Sequence, residues 1–563
     1  MKIPRFIACL TALLCMAAGC RSEDDGAVRA LARRIIPEHE KQFRFERLTD
    51  TTECFELESR GSKIVVRGNS SASIAVGLNH YLKNYCLTTV SWHACNPVEM
   101  PAVLPRIDEK VRVESRARER FFLNYCTFGY TMPWWGWTEW ERFIDWMALQ
   151  GVTMPLAITG QEAVWQRVWT RLGLSDEEVR AYFTGPAHLP WHRMSNIDRW
   201  QGPLPEEWID GQLALQQRIL ARERELGMKP VLPAFAGHVP QELKRLHPDA
   251  RITRVSYWGG FDDRYRCSFL DPMDPLFAVI QREFLTEQTR LFGTGHIYGA
   301  DPFNEIDAPT WDPETLAGMS RHIYESMAEV DPEAVWLQMG WLFYADPTHW
   351  TAENIRAFLG AVPQDRLLML DYFCEFTEIW KQTEKFHGQP YLWCYLGNFG
   401  GNTMLSGNFH TVSARMEDAF AHGGDNLRGV GSTLEGFGVN QFMYEFVLDK
   451  AWNTGIADDE WIARLADRRT GFRDPAARTG WRTLCDSVYT LPAQTGQSPL
   501  TNAHPALEGN WHWTTKPTTG YRFPTLWRVW EELLAVDSER DTYRFDVVNI
   551  GRQVLGDYFL IER

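Results

Sequence analysis

The segment His-Ile-Tyr-Gly-Ala-Asp-Pro-Phe-Asn-Glu (residues 296–305) decides the fold, because an apolar run that predicts a buried strand leads directly to a carboxylate. The segment Gly-Ser-Thr-Leu-Glu-Gly (residues 431–436) repeats this arrangement. Short apolar runs of this kind are typical of buried parallel strands, which end at the same edge of a sheet. Glu305 and Glu435 are therefore predicted to lie together. Two acids alone are weak evidence, since the chain has 73 Asp and Glu residues and such side chains mostly lie at the surface.

Six further apolar runs belong with these two. The eight candidate strands are residues 121–125, 152–158, 230–235, 297–301, 335–339, 367–372, 391–396 and 427–432. Helix-like segments, such as residues 138–150 and 205–226, alternate with them. Strands that alternate with helices predict parallel βα units, and eight such units that close on themselves form a (β/α)8 TIM barrel of the α/β class.

The length of the chain and its pattern of strand-like and helix-like segments predict three domains after an N-terminal leader. We expect a leader at residues 1–20, a small α/β domain at 21–110, the barrel at 111–439 and an all-α domain at 440–563. The small domain has candidate strands at 54–57 and 64–67 and a helix at 71–85. The last domain has candidate helices at residues 441–451, 458–469, 476–488, 524–535 and 543–559.

The leader predicts export. Two basic residues precede an apolar run, residues 6–18, that is too short to span a bilayer and is typical of a signal peptide. The run ends in Ala17-Ala18-Gly19-Cys20, which resembles a bacterial lipobox and makes Cys20 the candidate lipidation site. An ordinary cleaved signal stays open, because Ala17 stands where Leu is commoner. We expect an exported protein anchored by lipid to the bacterial outer membrane, and the face it occupies stays open.

The net charge and the cysteine spacing bear on nucleic-acid binding, membrane contact and metal binding. The formal net charge of −15 offers no basic face for nucleic acid, and we expect membrane contact only through the lipid anchor. No Cys-x-x-Cys and no Cys/His cluster at zinc spacing occurs, so we predict no metal and no cofactor. Cys86 and Cys95 are the nearest candidate disulfide pair, but spacing leaves the connectivity open. The oligomeric state also stays open.

The residues at the carboxyl ends of the predicted strands indicate a sugar pocket. Active sites of TIM barrels lie at these ends. Here they are rich in amides, aromatic rings and carboxylates, as in residues 124–126, 301–305, 371–372, 398–402 and 434–436. Amides and carboxylates bind hydroxyl groups, and aromatic rings stack on the apolar face of a pyranose.

These same blocks carry a family resemblance. The blocks are Asn124-Tyr125-Cys126, Gly160-Gln161-Glu162-Ala163-Val164-Trp165, Pro-Ala-Phe-Ala-Gly-His-Val-Pro (233–240), Ile-Tyr-Gly-Ala-Asp (297–301), Gly340-Trp341-Leu342-Phe343 and Asn-Phe-Gly-Gly-Asn (398–402). Their order and residues resemble glycoside hydrolase family 89, the α-N-acetylglucosaminidase family. The resemblance extends from about residue 60 to the end of the sequence.

The resemblance implies a retaining exo-hydrolase that removes terminal α-linked N-acetylglucosamine from a glycan. It makes Glu305 the general acid/base and Glu435 the nucleophile, with a raised pKa at the acid and an ionised nucleophile. It also implies a set of substrate contacts: Asn124, Cys126, Tyr130, Trp191, Trp258, Asn304, Trp341, Leu396 and Phe399. By composition alone, Cys126 is more typical of a buried core residue, and Asn304 is also consistent with a strand-end cap.

The sequence departs from the family pattern after residues 547–550 (Val-Val-Asn-Ile), where the family continues through further helices that bring a Trp and a Tyr to one pocket wall. We therefore expect that wall to be open. Two alternatives stay in view. One is an inactive or weakly active carbohydrate-binding lipoprotein. The other is a substrate-assisted β-hexosaminidase, which would need an adjacent Asp-Glu pair where Asn304-Glu305 stands.

Overall fold

The computed structural model describes residues 25–93, 98–491 and 519–561. The predicted lipidation site Cys20 and the candidate disulfide partner Cys95 lie outside these residues. In the described part, the chain forms a small α/β unit, a barrel and a set of C-terminal helices. No helix there is both long enough and apolar enough to cross a membrane.

The N-terminal unit is a four-stranded sheet covered by two helices. Its strands, in spatial order, are Phe43–Arg47, Lys63–Gly68, Cys54–Arg60 and Val111–Glu114, and only the first pair is parallel. The helices are Gly26–Ile35 and Ser71–Asn84. Reciprocal hydrogen bonds between Ser70 and Ser73 cap the second helix, which buries its apolar face on the sheet. The fourth strand lies beyond residue 110, the predicted end of this domain.

The barrel consists of eight parallel strands. In chain order they are Glu119–Phe122, Met154–Pro155, Leu232–Pro233, Ile297–Gly299, Val335–Met339, Leu367–Asp371, Tyr391–Tyr395 and Leu427–Ser432. We call them barrel strands 1 to 8. A parallel bridge between Leu156 and Val231 joins strands 2 and 3 and closes the ring. The predicted barrel is therefore confirmed, with each strand at its predicted place.

The larger barrel helices begin and end where local chemistry requires it. Pro275–Phe292 starts at Asp274, whose carboxylate accepts a hydrogen bond from Leu276 N, and ends at Gly293, which adopts a positive φ. The helices of this part are Thr127–Tyr130, Trp137–Gln150, Gln161–Arg171, Asp176–Tyr182, Leu189–Arg193, Glu206–Glu225, Leu243–Leu246, Pro275–Phe292, Pro313–Ala328, Trp341–Ala345, Ala352–Gly360, Ile379–Gln382 and Phe409–His422.

A small antiparallel sheet lies in the connection after barrel strand 3. It consists of His238–Val239, Ser268–Leu270 and Ile252–Arg254, in that spatial order. The loop of residues 255–267 that joins its last two strands reaches the mouth of the barrel with Trp258. This sheet was not predicted from the sequence, because strands of two or three residues are too short to show an alternating pattern.

The C-terminal helices are Gln441–Asp449, Asp458–Thr470, Pro475–Ser487, Phe523–Leu534 and Asp541–Ile561. A buried charge cluster joins the first two, since Glu445 accepts hydrogen bonds from Arg468 and Arg469, both at 3.2 Å. Each of the five helices overlaps its predicted counterpart.

Candidate active site

A cavity of about 470 Å³ opens at the carboxyl ends of the barrel strands. Its walls are Asn124, Cys126, Gly129, Tyr130, Ala187, His188, Trp191, Met194, Ile197, Trp258, Phe261, Asn304, Glu305, Met339, Trp341, Tyr372, Phe399, Gly400 and Glu435. Both predicted catalytic glutamates and every predicted sugar contact except Leu396 lie on these walls.

Glu305 is held by three N–H donors from three separate segments of the chain. Asn196 Nδ2 and Trp258 Nε1 donate to Oε2 at 3.0 and 2.9 Å, and Trp341 Nε1 donates to Oε1 at 3.2 Å. Glu305 itself is exposed at the cavity, beyond barrel strand 4. These donors fix the direction of a carboxyl group that stays accessible to a ligand.

Glu435 lies deeper, just beyond barrel strand 8. The backbone N–H of Gly400 donates to its Oε2, and the thiol of Cys126 donates to the same carboxylate. Burial raises the pKa of Glu435 to about 8, while the Gly400 N–H lowers it and the charge of Glu305 raises it. The two carboxyl groups therefore interact electrostatically across the cavity.

Comparison with known proteins shows the family to which the chain belongs. The model of the α-N-acetylglucosaminidase (NAGLU) TIM-barrel domain matches residues 120–454, and the models of its N-terminal and C-terminal domains match residues 26–106 and 461–561. The chain belongs to the α-N-acetylglucosaminidase family. It is 39% identical over 556 residues to human α-N-acetylglucosaminidase, covering 96% of this chain and 74% of the human protein.

Solved structures of family 89 have the same fold. The chain matches the family 89 glycoside hydrolase of Clostridium perfringens in complex with 2-acetamido-1,2-dideoxynojirmycin at 28% identity and a TM-score of 0.85. A variant of that enzyme with two glutamates replaced by glutamines, in complex with its substrate GlcNAc-α-1,4-galactose, matches at 28% identity and a TM-score of 0.86. Each match covers 94% of this chain but 60% of the clostridial chain, so this chain spans about three fifths of that length.

The aromatic residues that the family resemblance predicted form two walls of the cavity. Tyr130 packs edge-on against Trp191 with ring centroids 5.2 Å apart. Trp341 packs edge-on against Phe399 at 5.6 Å and against Tyr372 at 5.9 Å. Rings arranged in this way present flat apolar faces to a sugar.

The two predicted asparagines differ in their hydrogen bonding. Asn124 joins strand ends, because its Nδ2 donates to Thr433 O at 2.8 Å and its Oδ1 accepts from Cys126 N at 3.0 Å. Asn304 is buried beside Glu305, and its Oδ1 has no hydrogen-bond partner among the described residues. Asn304 is thus the better placed of the two to bind a polar group of a ligand.

Leu396 is the predicted contact that the structure does not bring to the cavity. Its side chain is fully buried, its N–H donates to Glu375 Oε2 at 3.0 Å, and its carbonyl accepts from Tyr444 at 3.3 Å. The next residue, Gly397, turns the chain with a positive φ. Leu396 therefore supports the turn below the cavity instead of lining its wall.

The electrostatic environment of Glu435 differs from the one that the resemblance implied. The resemblance implied an ionised Glu435, whereas burial raises the pKa of Glu435 to about 8. The physical reason is that burial disfavours the charged form of Glu435, and the hydrogen bond from Gly400 N–H offsets this only in part.

Asn196 bonds directly to Glu305 but was not among the residues predicted from the sequence. It follows the helix Leu189–Arg193 in a connection between barrel strands, far from any predicted strand end. Its bond to Glu305 spans 109 residues of sequence, and no local pattern reports such a contact.

Proposed function

We propose that the protein is a retaining, exo-acting glycoside hydrolase that removes terminal non-reducing α-linked N-acetylglucosamine from glycans. The observation that carries the proposal is that Glu305 and Glu435 face one cavity in two different environments. Membership of the α-N-acetylglucosaminidase family and the clostridial enzyme's complex with GlcNAc-α-1,4-galactose support the choice of sugar and linkage.

In the proposed first step, Glu435 attacks the anomeric carbon while Glu305 donates its proton to the leaving oxygen. In the second step, Glu305 removes a proton from water, which attacks the glycosyl-enzyme and frees Glu435. A direct attack of this kind needs the carboxyl groups about 5–5.5 Å apart. Trp191, Trp341 and Phe399 would hold the sugar ring, and Asn304 would bind a polar substituent.

Glu435 must lose a proton before it can attack. The charge of Glu305 raises the pKa of Glu435, so protonation of Glu305 favours ionisation of Glu435. The state with the proton on Glu305 and the charge on Glu435 is the one that the first step requires. A positively charged transition state further stabilises the ionised nucleophile.

The proposal is tested by assaying the protein without its first 20 residues on 4-nitrophenyl α- and β-N-acetylglucosaminides. We expect nitrophenol release from the α-anomer alone, and loss of that release in Glu435→Gln. Release from the β-anomer alone would favour the substrate-assisted alternative. No release from either anomer, by protein with a native circular dichroism spectrum, would favour a carbohydrate-binding role.

We also propose export and lipid anchoring through Cys20, from the sequence of the leader alone. In a bacterial host that processes lipoproteins, the full chain should incorporate labelled palmitate and fractionate with membranes. Cys20→Ala should abolish both. Equal labelling of the wild type and the variant would reject Cys20 as the site.

A further inference from the structure

A buried carboxylate behind the cavity is surrounded by three side chains. Asp198 Oδ1 lies 2.7 Å from His238 Nε2, 3.1 Å from His192 Nδ1 and 3.3 Å from Cys267 Sγ. Asp198, His192 and Cys267 are at least 96% buried, and His238 is nearly so. None of the four lines the cavity that holds Glu305 and Glu435.

These four side chains come from two segments of the chain. His192 and Asp198 belong to residues 189–198, which include the short helix Leu189–Arg193. His238 and Cys267 belong to the small antiparallel sheet and the end of its 255–267 loop. The backbone N–H of Asp198 also donates to Tyr265 O, in that loop, at 2.9 Å. Asp198 therefore ties the two segments together.

Each of these two segments supplies one donor to the same oxygen of Glu305. Asn196, two residues before Asp198, donates at 3.0 Å, and Trp258, in the 255–267 loop, donates at 2.9 Å. A further anchor holds the first segment, since Arg193 makes a two-pronged ion pair with the buried Glu162 at 2.8 and 2.9 Å. Glu162 thus has a structural role.

The geometry favours a hydrogen-bonding centre over a metal site, although two imidazoles, a thiol and a carboxylate are common metal ligands. In a zinc site the donor atoms surround the ion, each about 2.0–2.3 Å from it. Here the nitrogen and sulfur atoms surround Asp198 Oδ1 itself, at hydrogen-bonding distances. The carboxylate oxygen occupies the centre.

We propose that Asp198 is a positioning residue for the reaction: it joins the 189–198 segment to the 255–267 loop and so holds Asn196 and Trp258 against Glu305. The inference rests on the proposed function, because it takes Glu305 as the general acid/base. Asp198 is ionised at working pH: burial raises its pKa, but the nearby imidazoles of His238 and His192 lower it to about 2. It therefore remains an acceptor for His238 and Cys267, with His192 within ion-pair distance.

The test uses the dependence of the rate on the leaving group. A misplaced general acid slows departure of a sugar, which must be protonated, far more than departure of a dinitrophenolate, which need not be. For Asp198→Asn we expect kcat/KM to fall about 10- to 100-fold with GlcNAc-α-1,4-galactose. With 2,4-dinitrophenyl α-N-acetylglucosaminide we expect a fall of less than about 3-fold.

Two further variants separate positioning from general damage. Asn196→Ala should show the same selectivity, and adding Asp198→Asn to it should cost less than the product of the single effects, because both act through one contact. Asp371→Asn is the matched control. Asp371 is also a fully buried carboxylate that fixes a loop at this end of the barrel, by accepting the N–H groups of Ile379 and Trp380. Neither Ile379 nor Trp380 donates a hydrogen bond to Glu305. Asp371→Asn should therefore lower kcat/KM equally for the two substrates.

The outcomes are distinct. Equal losses on both substrates for Asp198→Asn would overturn the inference and leave a structural role. If Asp198→Asn does not fold, the variants Asn196→Ala and Trp258→Phe take its place in the test. Equal losses on the two substrates in both of these variants would overturn the inference. One equivalent of a transition metal in the purified wild type, lost in Asp198→Asn, would also overturn it. A wild type inactive on both substrates would reject the proposed function instead.

Discussion

At the scale of single residues, the site depends on two carboxyl groups that differ in exposure. Glu435 is half-buried and carries a raised pKa, whereas Glu305 is exposed and held by three N–H donors. Their identity as the two site acids could be predicted from sequence, because each follows a strand. The raised pKa of Glu435 could not, since it depends on desolvation by residues from other parts of the chain.

Replacement of Glu435 and of Glu305 by alanine should have different effects on activity. Glu435→Ala should abolish turnover, and added azide should restore part of it with a β-azide product, because a small anion can enter the space of the lost nucleophile. In Glu305→Ala, kcat/KM should fall about 10²- to 10⁴-fold for substrates with a sugar leaving group. It should change little for a substrate that releases dinitrophenolate. Product analysis by chromatography checks both. Full activity in either variant would show that the assigned role is wrong.

Cys126 should tune the acidic limb of the activity profile. Its thiol donates to Glu435 and lowers the pKa of that group, so Cys126→Ala should raise it. Below its pKa Glu435 is protonated and cannot attack, so the acidic limb of kcat/KM should move to higher pH. Cys126→Ser keeps a donor and serves as the control. A limb that stays in place or moves to lower pH in Cys126→Ala would contradict the assignment.

At the scale of elements, the eight strands were predictable because each is a buried run between polar ends. The small sheet after barrel strand 3 and the helix Gly26–Ile35 were not predicted. Leu396 was assigned to the cavity from the family resemblance, but the turn at Gly397 leaves it below the wall. Position along a strand predicts the neighbourhood of a side chain, whereas its direction depends on the turn that follows.

Closure between barrel strands 8 and 1 depends on a glycine. A Cβ at Gly429 would lie 1.9 Å from the carbonyl oxygen of Glu119, its partner in strand 1. Gly429→Ala should therefore lower the free energy of unfolding by about 3 kcal/mol. Thermal melting followed by circular dichroism should show a clear fall in Tm.

The matched control is Gly211→Ala in the helix Glu206–Glu225, where a Cβ meets nothing within 4 Å. This change should stabilise the protein by up to about 1 kcal/mol, since alanine favours a helix interior. A Gly429→Ala variant as stable as Gly211→Ala would mean that strands 8 and 1 are not in this register.

At the scale of the whole molecule, one buried lysine connects the three parts of the chain. Lys83, on the helix Ser71–Asn84, donates to Gln150 Oε1 of a barrel helix at 3.0 Å and to Asp449 of the first C-terminal helix at 2.9 Å. It is 4% exposed. The N-terminal unit is therefore joined to both of the parts that follow it.

Lys83→Ala should lower the free energy of unfolding by about 2 kcal/mol, because it leaves Gln150 and Asp449 without a shared donor. Lys110→Ala is the control, since Lys110 is exposed and its partner Glu56 also pairs with Arg112, so its loss should cost less than about 1 kcal/mol. Urea denaturation followed by tryptophan fluorescence compares them. Equal midpoints for the two variants would contradict a joining role for Lys83.

The last two helices present apolar side chains to solvent. Val548, Leu555 and Tyr558 on Asp541–Ile561 are 69, 60 and 48% exposed, and Leu534 on the preceding helix is 53% exposed. Exposed apolar residues of this size favour association with other molecules. The cavity with both glutamates is formed without contribution from these helices.

The most direct test of the central claim is the stereochemistry of hydrolysis. Proton NMR of the first turnovers of 4-nitrophenyl α-N-acetylglucosaminide reports which anomer of N-acetylglucosamine forms before mutarotation. The account predicts the α-anomer, because attack by Glu435 and then by water inverts the anomeric carbon twice. First appearance of the β-anomer would show a single displacement and would contradict the role of Glu435 as nucleophile.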